Sequence, residues 1–514
     1  MKHSLKLIAV LVAISLCRET SAAIFNPNDV ASLITAINTS NTNGEDDTIE
    51  LATNGTYTLT TVDNTSGNGA NGLPVILSDT GHTLVIHGNG ATLQRSAAGG
   101  TPAFRIFQIG TGADVTIDRL TIMNGIGSTG LGGGIFNDGF TGNATLTITN
   151  STVSGNSASG AGGGIYNGQA TLIVNNSTVS GNSTSGDAGG FGGGGILNIV
   201  NFSTSATLTI NNSTISGNSA MTVGGGIGNL NEGIGTTSAT LTIKNSTLSG
   251  NSAGLGLGGG INIQNSAPSG SATLTIGDTI LKTGASGANI RNFLGTVTSL
   301  GYNLSSDDAS AFLNQTGDQN STDPLLGPLQ DNGGPTFTHA LLASSPAINM
   351  GNPSFTPPPD FDQRGTGFPR VVNNRIDIGA FEVQTAAACP HPKGYWKNNP
   401  NLWPASALPM TLGSQTYTKT QLLTILNTAV GSRGKADASL ILADQLIAAK
   451  LNIANGSDET PVSSTIADAD AVLSLPGRLP YRVRPNTTNG QRMVSDANTL
   501  DSYNNGLLTT GCSL

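Results

Sequence analysis

A thirteen-residue phrase repeats along the middle of this 514-residue chain. The phrase starts at Ala144 and returns from Ala170, Ala206 and Ala239, with a weaker fifth copy from Ala272. A glycine triplet followed by isoleucine precedes every copy, and these isoleucines lie 30, 31, 31 and 34 residues apart. Repeats of this length are typical of a solenoid, in which each unit buries its apolar face only against neighbouring units.

Apolar and polar residues alternate within each copy, which predicts a strand with one buried face. Leu146 and Ile148 are expected to point inward and the threonines beside them outward. After a turn at Asn150, Val153 resumes the inward pattern, so each unit supplies three short strands when its leading isoleucine is included. The sequence therefore predicts an all-β fold, a parallel β-helix solenoid with three strands per coil.

Stacking of the units predicts four files of buried aliphatic side chains. The files are Ile135, Ile165, Ile196, Ile227 and Ile261; Leu146, Leu172, Leu208, Leu241 and Leu274; Ile148, Val174, Ile210, Ile243 and Ile276; and Val153, Val179, Ile215, Leu248 and Ile280. Asparagine recurs at the bends, because it tolerates left-handed backbone and its stacked amides can join neighbouring coils. These asparagines are Asn150, Asn176, Asn212 and Asn245, and then Asn156, Asn182, Asn218 and Asn251.

Residues 1–22 are predicted to be a signal peptide, with Lys2 and Lys6 ahead of the apolar run 7–16 and small residues at the cut. We expect an extracytoplasmic protein cleaved simply, because Leu16 does not suit a lipoprotein signal at Cys17. The β-helix with its cap is assigned to residues 23–301. Asp29 is expected to cap a helix that carries Val30, Leu33, Ile34 and Ile37 on one face and covers the open end of the files.

The cysteines predict a separate C-terminal domain. Loss of Cys17 with the leader leaves Cys389 and Cys512, which are expected to form a disulfide in an oxidising compartment. The intervening apolar spacing is helical, so residues 389–514 are predicted to form a small, disulfide-closed, mainly helical domain. No stretch after the leader approaches the length of a membrane span.

Two stretches of sequence carry a resemblance to known families. The first comprises Asp323-Pro-Leu-Leu-Gly-Pro-Leu, Asn332-Gly-Gly-Pro-Thr-Phe-Thr-His-Ala-Leu-Leu, Ser345-Pro-Ala-Ile-Asn, Asp362-Gln-Arg-Gly and Asp377-Ile-Gly-Ala-Phe-Glu. Residues 302–384 thereby resemble the choice-of-anchor Q segment that closes many right-handed parallel β-helix proteins of bacterial surfaces. Residues 24 to about 300 resemble the β-helix of those proteins, which implies a right-handed solenoid. Lys393-Gly-Tyr-Trp-Lys-Asn-Asn-Pro and Thr499-Leu-Asp-Ser-Tyr-Asn-Asn-Gly resemble an uncharacterised module of secreted bacterial proteins, with Asn399 in place of the usual histidine. The resemblance implies a secreted or surface-exposed protein.

Residues capable of acid–base chemistry are sparse in the repeats. Between Gly125 and Gly277 the only acids are Asp138, Asp187 and Glu232, and they share no register. The sequence therefore predicts a non-catalytic, adhesin-like protein that binds a surface glycan or a protein partner. An extracellular polysaccharide lyase or glycoside hydrolase remains the alternative, with a site near His82, His87 and Arg95 or in the closing segment. The formal charge of -9 disfavours nucleic acid as a partner.

Other candidate sites each have a structural alternative. Asp307, Asp308, Asp318 and Asp323 offer ligands for a structural Ca²⁺, or else form a solvated loop; no other cofactor is predicted. Asp360, Asp362 and Arg364 near His339 are interpreted as a structural ion-pair cluster. Tyr395, Trp396 and Trp403 form either a sugar-stacking platform or packing around the disulfide. The outward pairs Thr145 and Thr147, Thr207 and Thr209, Thr240 and Thr242, and Thr273 and Thr275 suggest, as a lesser alternative, an ice-binding array interrupted by Ile173.

Overall fold

The structure is a computed structural model that describes residues 22–66, 68–185, 191–202, 204–254, 257–372, 374–384, 388–432, 435–509 and 512. The predicted signal peptide, apart from Ala22, and Asp187 lie outside the described residues. The chain divides into two compact units: the first ends at Gln384, and the second spans Thr385–Leu514.

Three long parallel sheets build the first unit, and successive coils add one strand to each sheet. Sheet 1 contains Ala23–Phe25, Asp47–Glu50, Thr83–His87, Asp114–Asp118, Thr145–Thr149, Thr171–Asn175, Ala206–Asn211, Ser238–Lys244, Ser271–Gly277 and Thr296–Ser299. Sheet 2 contains Thr56–Leu59, Thr92–Arg95, Thr121–Met123, Thr152–Ser154, Thr178–Ser180, Thr214–Ser216, Thr247–Ala253, Ile280–Thr283 and Leu304–Ser305. Sheet 3 contains Phe107–Ile109, Ile135–Asp138, Ile165–Gly168, Ile196–Val200, Ile227–Asn231, Ile261–Asn265 and Ile290–Phe293.

The predicted parallel β-helix is confirmed by the pairing of identical positions in successive coils. Ile135 lies opposite Ile165, and Leu146 opposite Leu172, with the same register in the following coils. A regular coil also has a fourth strand of two residues that the sequence did not predict. These short strands are Ile126–Gly127, Ser157–Ala158, Ser183–Thr184 and Ser219–Ala220, and they pair in a row beside sheet 2.

The prediction that Ile280 belongs to the fourth file is wrong. Leu248 pairs with Leu281, whereas Ile280 lies opposite Thr247. Leu281 therefore joins the main core, and Ile280 packs in a separate cluster with Leu341. Ile280 takes the position that Thr178, Thr214 and Thr247 hold in the preceding coils, and it packs against apolar side chains of a later segment of the chain.

The predicted asparagine positions have the conformation and contacts expected of them. Asn150, Asn176, Asn212 and Asn245 adopt φ of 49 to 50°, the left-handed region. The second set forms a buried ladder. The side-chain Nδ2 of Asn156 donates to the side-chain Oδ1 of Asn182 at 3.0 Å, and the same bond repeats from Asn182 to Asn218 and from Asn218 to Asn251. A ladder that the sequence did not predict runs parallel to it through Asn137, Asn167, Asn198 and Asn229, at 2.7 Å per step.

The N-terminal cap is a helix, α1 (Val30–Ser40), as predicted. The Asp29 carboxylate accepts from the Ser32 amide at 2.7 Å, and Leu33 and Ile37 are buried in the same core as the coils. After the last coil, Leu313 joins this core as well. Both ends of the apolar interior are thus covered by side chains of the first unit.

The described residues of the range 324–384, named here the flank segment, lie along the outside of sheet 2. An antiparallel hairpin, Leu326–Gln330 with Thr338–Leu341, begins the segment. Hydrogen bonds join the flank segment to four successive coils, and among their partners are the side chains of Thr178, Thr214 and Thr247 and the backbone of Asp278. The segment that resembles a closing module therefore covers the side of the solenoid.

His339 joins the flank segment to sheet 2 as a neutral imidazole. Its Nδ1 lies 2.7 Å from the carbonyl oxygen of Gly327, and its Nε2 lies 2.8 Å from the hydroxyl of Ser216. The carbonyl can only accept, so Nδ1 carries the proton and Nε2 accepts from Ser216. Burial lowers the pKa of His339 from the ordinary 6.5, and the positive charge of Lys282 lowers it further.

Because the unfolded chain binds a proton at His339 more readily, the contribution of this histidine to stability should be lost as the pH falls below about 6.5. We expect the stability advantage of the wild-type protein over His339→Gln to be full at pH 7.5 and smaller at pH 5. Urea unfolding of both proteins at the two pH values measures this difference. An advantage that does not change with pH would contradict the assignment of a neutral imidazole.

The second unit is mainly helical, and Cys389 and Cys512 form the predicted disulfide. Its elements are α2 (Lys393–Asn398), the strands Met410–Leu412 and Gln415–Tyr417, α3 (Lys419–Asn427), α4 (Ala438–Ala454), α5 (Ser463–Val472) and α6 (Thr488–Asn504). Helix α4 forms the centre and is buried along most of its length, with α6 packed against it. Among the described residues, no helix is both long and apolar enough to cross a membrane.

Candidate functional site

Two of the three sheet faces are covered. The flank segment lies on sheet 2, and loops cover much of sheet 3, where Phe136 and Tyr166 stack with ring centroids 5.0 Å apart and are buried with Leu197. The loops between sheets 3 and 1 range from two residues (169–170) to six (139–144). The outward side chains of sheet 1 are left as the regular, accessible face of the solenoid.

Two files of threonine run along this face, which we name the threonine face. The first file is Thr145, Thr171, Thr207, Thr240, Thr273 and Thr296, and the second is Thr147, Ile173, Thr209, Thr242, Thr275 and Thr298. Neighbouring coils are about 4.8 Å apart, so six coils span roughly 24 Å. The two files are about 6.6 Å apart, since two residues separate them along each strand.

The hydroxyl groups of these threonines are available to a ligand. The side chains are half-buried in the inner coils and exposed in the last one. Within the described residues, only Thr171 of the two files makes a side-chain hydrogen bond, to Asn143 at 3.4 Å. Lys244 is the one charged side chain that sheet 1 presents between Thr145 and Ser299. The surface thus offers methyl and hydroxyl groups in a nearly uncharged array.

Charged residues collect where the threonine face meets the N-terminal coils. Glu50, His87 and Asp118 are aligned in three adjacent strands. Asp118 accepts from Arg119 Nε and from Asn150 Nδ2, both at 2.9 Å, and His87 Nδ1 lies 3.5 Å from the same carboxylate. Glu50 and Asp118 are separated by two strand spacings, about 9.6 Å between backbones, and His87 lies between them.

The other residues predicted for an enzymatic site do not join this row. His82 pairs with Asp46 at 3.5 Å. Arg95 lies on sheet 2, where its guanidinium donates to the carbonyl oxygens of Thr101 and Pro102 and contacts the Phe104 ring. The sequence grouped His87 of sheet 1 with Arg95 of sheet 2 and with His82, which lies just before the strand of His87.

The four aspartates considered for Ca²⁺ each bind groups of the protein itself. Asp307 accepts from the backbone and side chain of Asn289, and Asp318 accepts from Asn303. Asp308 accepts from the Ser310 amide at 3.1 Å, and Asp323 pairs with Lys282 at 3.0 Å. Hydrogen bonding to Lys282 lowers the pKa of Asp323. The part of the chain that the structure describes contains no cluster of three or more His, Cys, Asp or Glu side chains able to hold a metal ion.

Buried charges in the flank segment form an internal network. Arg364 donates to Asp362 at 2.6 Å, and its guanidinium lies between the rings of Phe368 and Phe381. Burial raises the pKa of nearby Glu382 to about 8. Asp362, Arg364 and Glu382 are fully or almost fully buried, so this network holds the flank segment together. Asp360 and His339 do not join it.

Two of the three aromatic residues considered for sugar stacking are buried. Trp396 donates its indole N–H to Asn452 at 2.8 Å, and Trp403 donates to the carbonyl oxygen of Trp396 at 2.8 Å. They are 1% and 6% exposed, which leaves no free ring face. Tyr395 is half-buried and stacks on His391, with ring centroids 3.9 Å apart.

A buried arginine near the first coils was missed at the sequence level. Arg105 donates to the carbonyl oxygen of Asn68 and to Asn71, and lies 4.9 Å from the centroid of Phe136. Burial lowers its pKa to about 10 and raises that of Asp138. No periodic pattern marks Arg105, because its partners come from an irregular hairpin outside the repeats.

The chain matches no protein-family model and no curated protein. It is similar to the crystal structure of a pectate lyase, with 13% sequence identity and a TM-score of 0.35 over 71% of this chain and 97% of that chain. At this identity and score the similarity carries no statement about activity, and the fold rests on the strand register described above.

Proposed function

We propose that this chain is an extracellular, non-catalytic binding protein whose threonine face binds an uncharged, linear polysaccharide of a surface or matrix. The observation that carries the proposal is the pair of threonine files, accessible and nearly free of charge across six coils. A repeating polymer matches a repeating array of hydroxyl donors and acceptors. The absence of charge on the face favours neutral sugars over polyanions.

Export supports the same role. The disulfide between Cys389 and Cys512 is consistent with export, because disulfides form and persist mainly in oxidising compartments. The predicted signal peptide and the resemblances to a choice-of-anchor Q segment and to a module of secreted proteins are consistent with it. We retain these resemblances as part of the proposal, together with an adhesin-like role at the cell surface.

Lysine at the centre of the threonine face should abolish binding of the polysaccharide. The double variant Thr209→Lys with Thr242→Lys places two long, hydrated side chains in adjacent coils. The wild-type protein is first tested for binding to cellulose, chitin, xylan and laminarin. For the polysaccharide that it binds, we expect the double variant to lose at least tenfold in affinity. The matched control is Thr56→Lys with Thr58→Lys, which adds the same charge to exposed threonines on sheet 2.

The outcome of this comparison decides between ligands. Equal binding by both double variants would exclude the threonine face as the site. If the wild-type protein binds a protein partner and none of the polysaccharides, the ligand of the threonine face is that protein and not a glycan. Thr209→Val with Thr242→Val keeps the side-chain shape and removes two hydroxyls. Its loss of affinity therefore measures how much the hydrogen bonds of these hydroxyls contribute to binding.

An ice surface is a second candidate, favoured by the strict repetition of the two threonine files. Thermal hysteresis of the wild-type protein, lost in the lysine variant and kept in the sheet 2 control, would support it. The interruption at Ile173 lies inside the array. Absence of hysteresis at millimolar protein would remove this candidate.

An enzyme remains the alternative because Glu50, His87 and Asp118 are aligned. Release of reducing ends from the same neutral polysaccharides tests for a hydrolase, and release of unsaturated products from polygalacturonate tests for a lyase, because elimination needs a uronate carboxyl beside the proton that is removed. Activity that disappears in Glu50→Gln and Asp118→Asn would establish a hydrolase or lyase at this end of sheet 1. Activity that persists in both would place any reaction elsewhere.

A further inference from the structure

The second unit differs in charge from the first. From Thr385 onward the chain carries ten Lys and Arg residues against eight Asp and Glu residues, whereas the preceding part carries 12 against 23. A basic unit attached to an acidic one indicates a partner that the first unit does not attract.

A cavity of about 640 Å³ in the second unit gathers part of this positive charge. Its walls come from residues 428–431 after α3, residues 435–437 before α4, and the loop before α6 with Pro480, Arg482 and Arg484. Lys435 and the two arginines are exposed at the cavity. Val430, Ala436 and Leu440 add apolar surface.

Asp437 fixes these walls relative to one another. Its backbone N–H donates to the carbonyl oxygen of Val430 at 2.7 Å, and its carboxylate accepts from the backbone N–H groups of Arg482 and Val483 at 2.9 and 3.0 Å. The same carboxylate caps α4 through Ser439. Arg482 is held at φ of 56°, a conformation that side-chain-bearing residues rarely adopt. The cavity is therefore built before any ligand binds.

The three cations at the cavity contrast with other cations of the unit. Lys393, Lys450 and Arg492 form ion pairs with Asp444, Asp470 and Asp468. Among the described residues, the side chains of Lys435, Arg482 and Arg484 make no ion pair or hydrogen bond. Asp437 also lines the cavity and offsets one of these three positive charges, so the cavity carries three cations against one carboxylate.

We propose that this cavity binds an anionic saccharide unit, carboxylated or sulfated. Its volume suits a ligand of one or two sugar rings. Guanidinium groups recognise carboxylate and sulfate oxygens in a planar, two-point geometry, and the apolar wall can pack against a sugar ring. The second unit would thereby attach the chain to an acidic polymer while the threonine face binds a neutral one.

Binding of full-length mature protein to polygalacturonate, dextran sulfate and neutral dextran tests the proposal. We expect binding to at least one acidic polymer, with an affinity that falls as salt rises from about 0.05 to 0.5 M. Binding of neutral dextran, if the threonine face provides it, should not depend on salt in this way. Arg482→Gln with Arg484→Gln should weaken binding at least tenfold. Arg482→Lys with Arg484→Lys should restore part of the affinity, since it keeps the charge but not the planar fork.

Matched controls separate this site from the general charge and from the threonine face. Arg492→Gln removes one positive charge from an ion pair elsewhere on the second unit. We expect it to change the affinity for the acidic polymer less than twofold. Thr209→Lys with Thr242→Lys should leave acidic-polymer binding intact, so failure of one proposal is distinguishable from failure of the other. Equal loss in Arg492→Gln, or equally tight binding of polyphosphate, would overturn an anionic-saccharide site.

Discussion

Alanine at Gly194 is expected to destabilise the solenoid by about 4 kcal/mol or more, among the largest effects of a single substitution. A Cβ atom there would lie 2.3 Å from the carbonyl oxygen of Ser219 and 2.5 Å from that of Gly225. Both atoms belong to paired backbone, so neither can move without breaking the coil-to-coil ladder. Gly163 and Gly225 meet the same obstruction in their own coils.

Two control substitutions isolate the cause. Gly99→Ala meets no atom within 4 Å and should change stability by less than about 0.5 kcal/mol. Gly217→Ala also has open space but sits at φ of 63°, so it should cost about 1 kcal/mol from backbone strain alone. Urea unfolding and soluble yield measure all three variants. Gly194→Ala with the stability of Gly99→Ala would refute the steric origin of the glycine triplets.

Removal of one rung from the buried asparagine ladder should cost about 3 to 5 kcal/mol. Asn218 is fully buried, donates to Asn251 and to the carbonyl oxygen of Val179, and accepts from the backbone and side chain of Asn182. Asn218→Ala leaves several of these groups without a partner in a dry interior, at about 1 to 3 kcal/mol for each unsatisfied group.

Asn211→Ala is the matched control because Asn211 lies in the same coil but points outward. Its side chain is half-buried and makes one bond, to Asn175 at 3.1 Å. We expect it to cost less than about 1 kcal/mol. Thermal and urea unfolding of both variants provide the comparison, and similar losses would show that the ladder adds little beyond an ordinary surface amide.

Periodicity made the solenoid predictable. Leu146 and Ile148 recur with their neighbours in every coil, and stacking like residues is the arrangement that buries them all. The left-handed turn at Asn150 was predictable for the same reason. The threonine face followed from the same alternation, since outward positions repeat as faithfully as inward ones.

Contacts between non-repeating parts were beyond prediction. Ile280 resembles a core residue in the sequence, yet the flank segment covers it on the outside of sheet 2. The alignment of Glu50, His87 and Asp118 depends on the register of irregular N-terminal coils. The cavity beside Arg482 depends on three loops of the second unit that Asp437 joins. None of these positions has a period from which a register can be inferred.

The flank segment has a consequence for the evolution of this chain. Solenoids commonly gain or lose whole repeats, because each repeat contacts only its neighbours. Here one segment touches Thr178, Thr214, Thr247 and Asp278, one position in each of four consecutive coils. Duplication or deletion of a coil among them would shift these partners by a whole winding. We therefore expect the flank segment to keep the number of coils constant. The loops between sheets 3 and 1 do not have this constraint and can accept insertions.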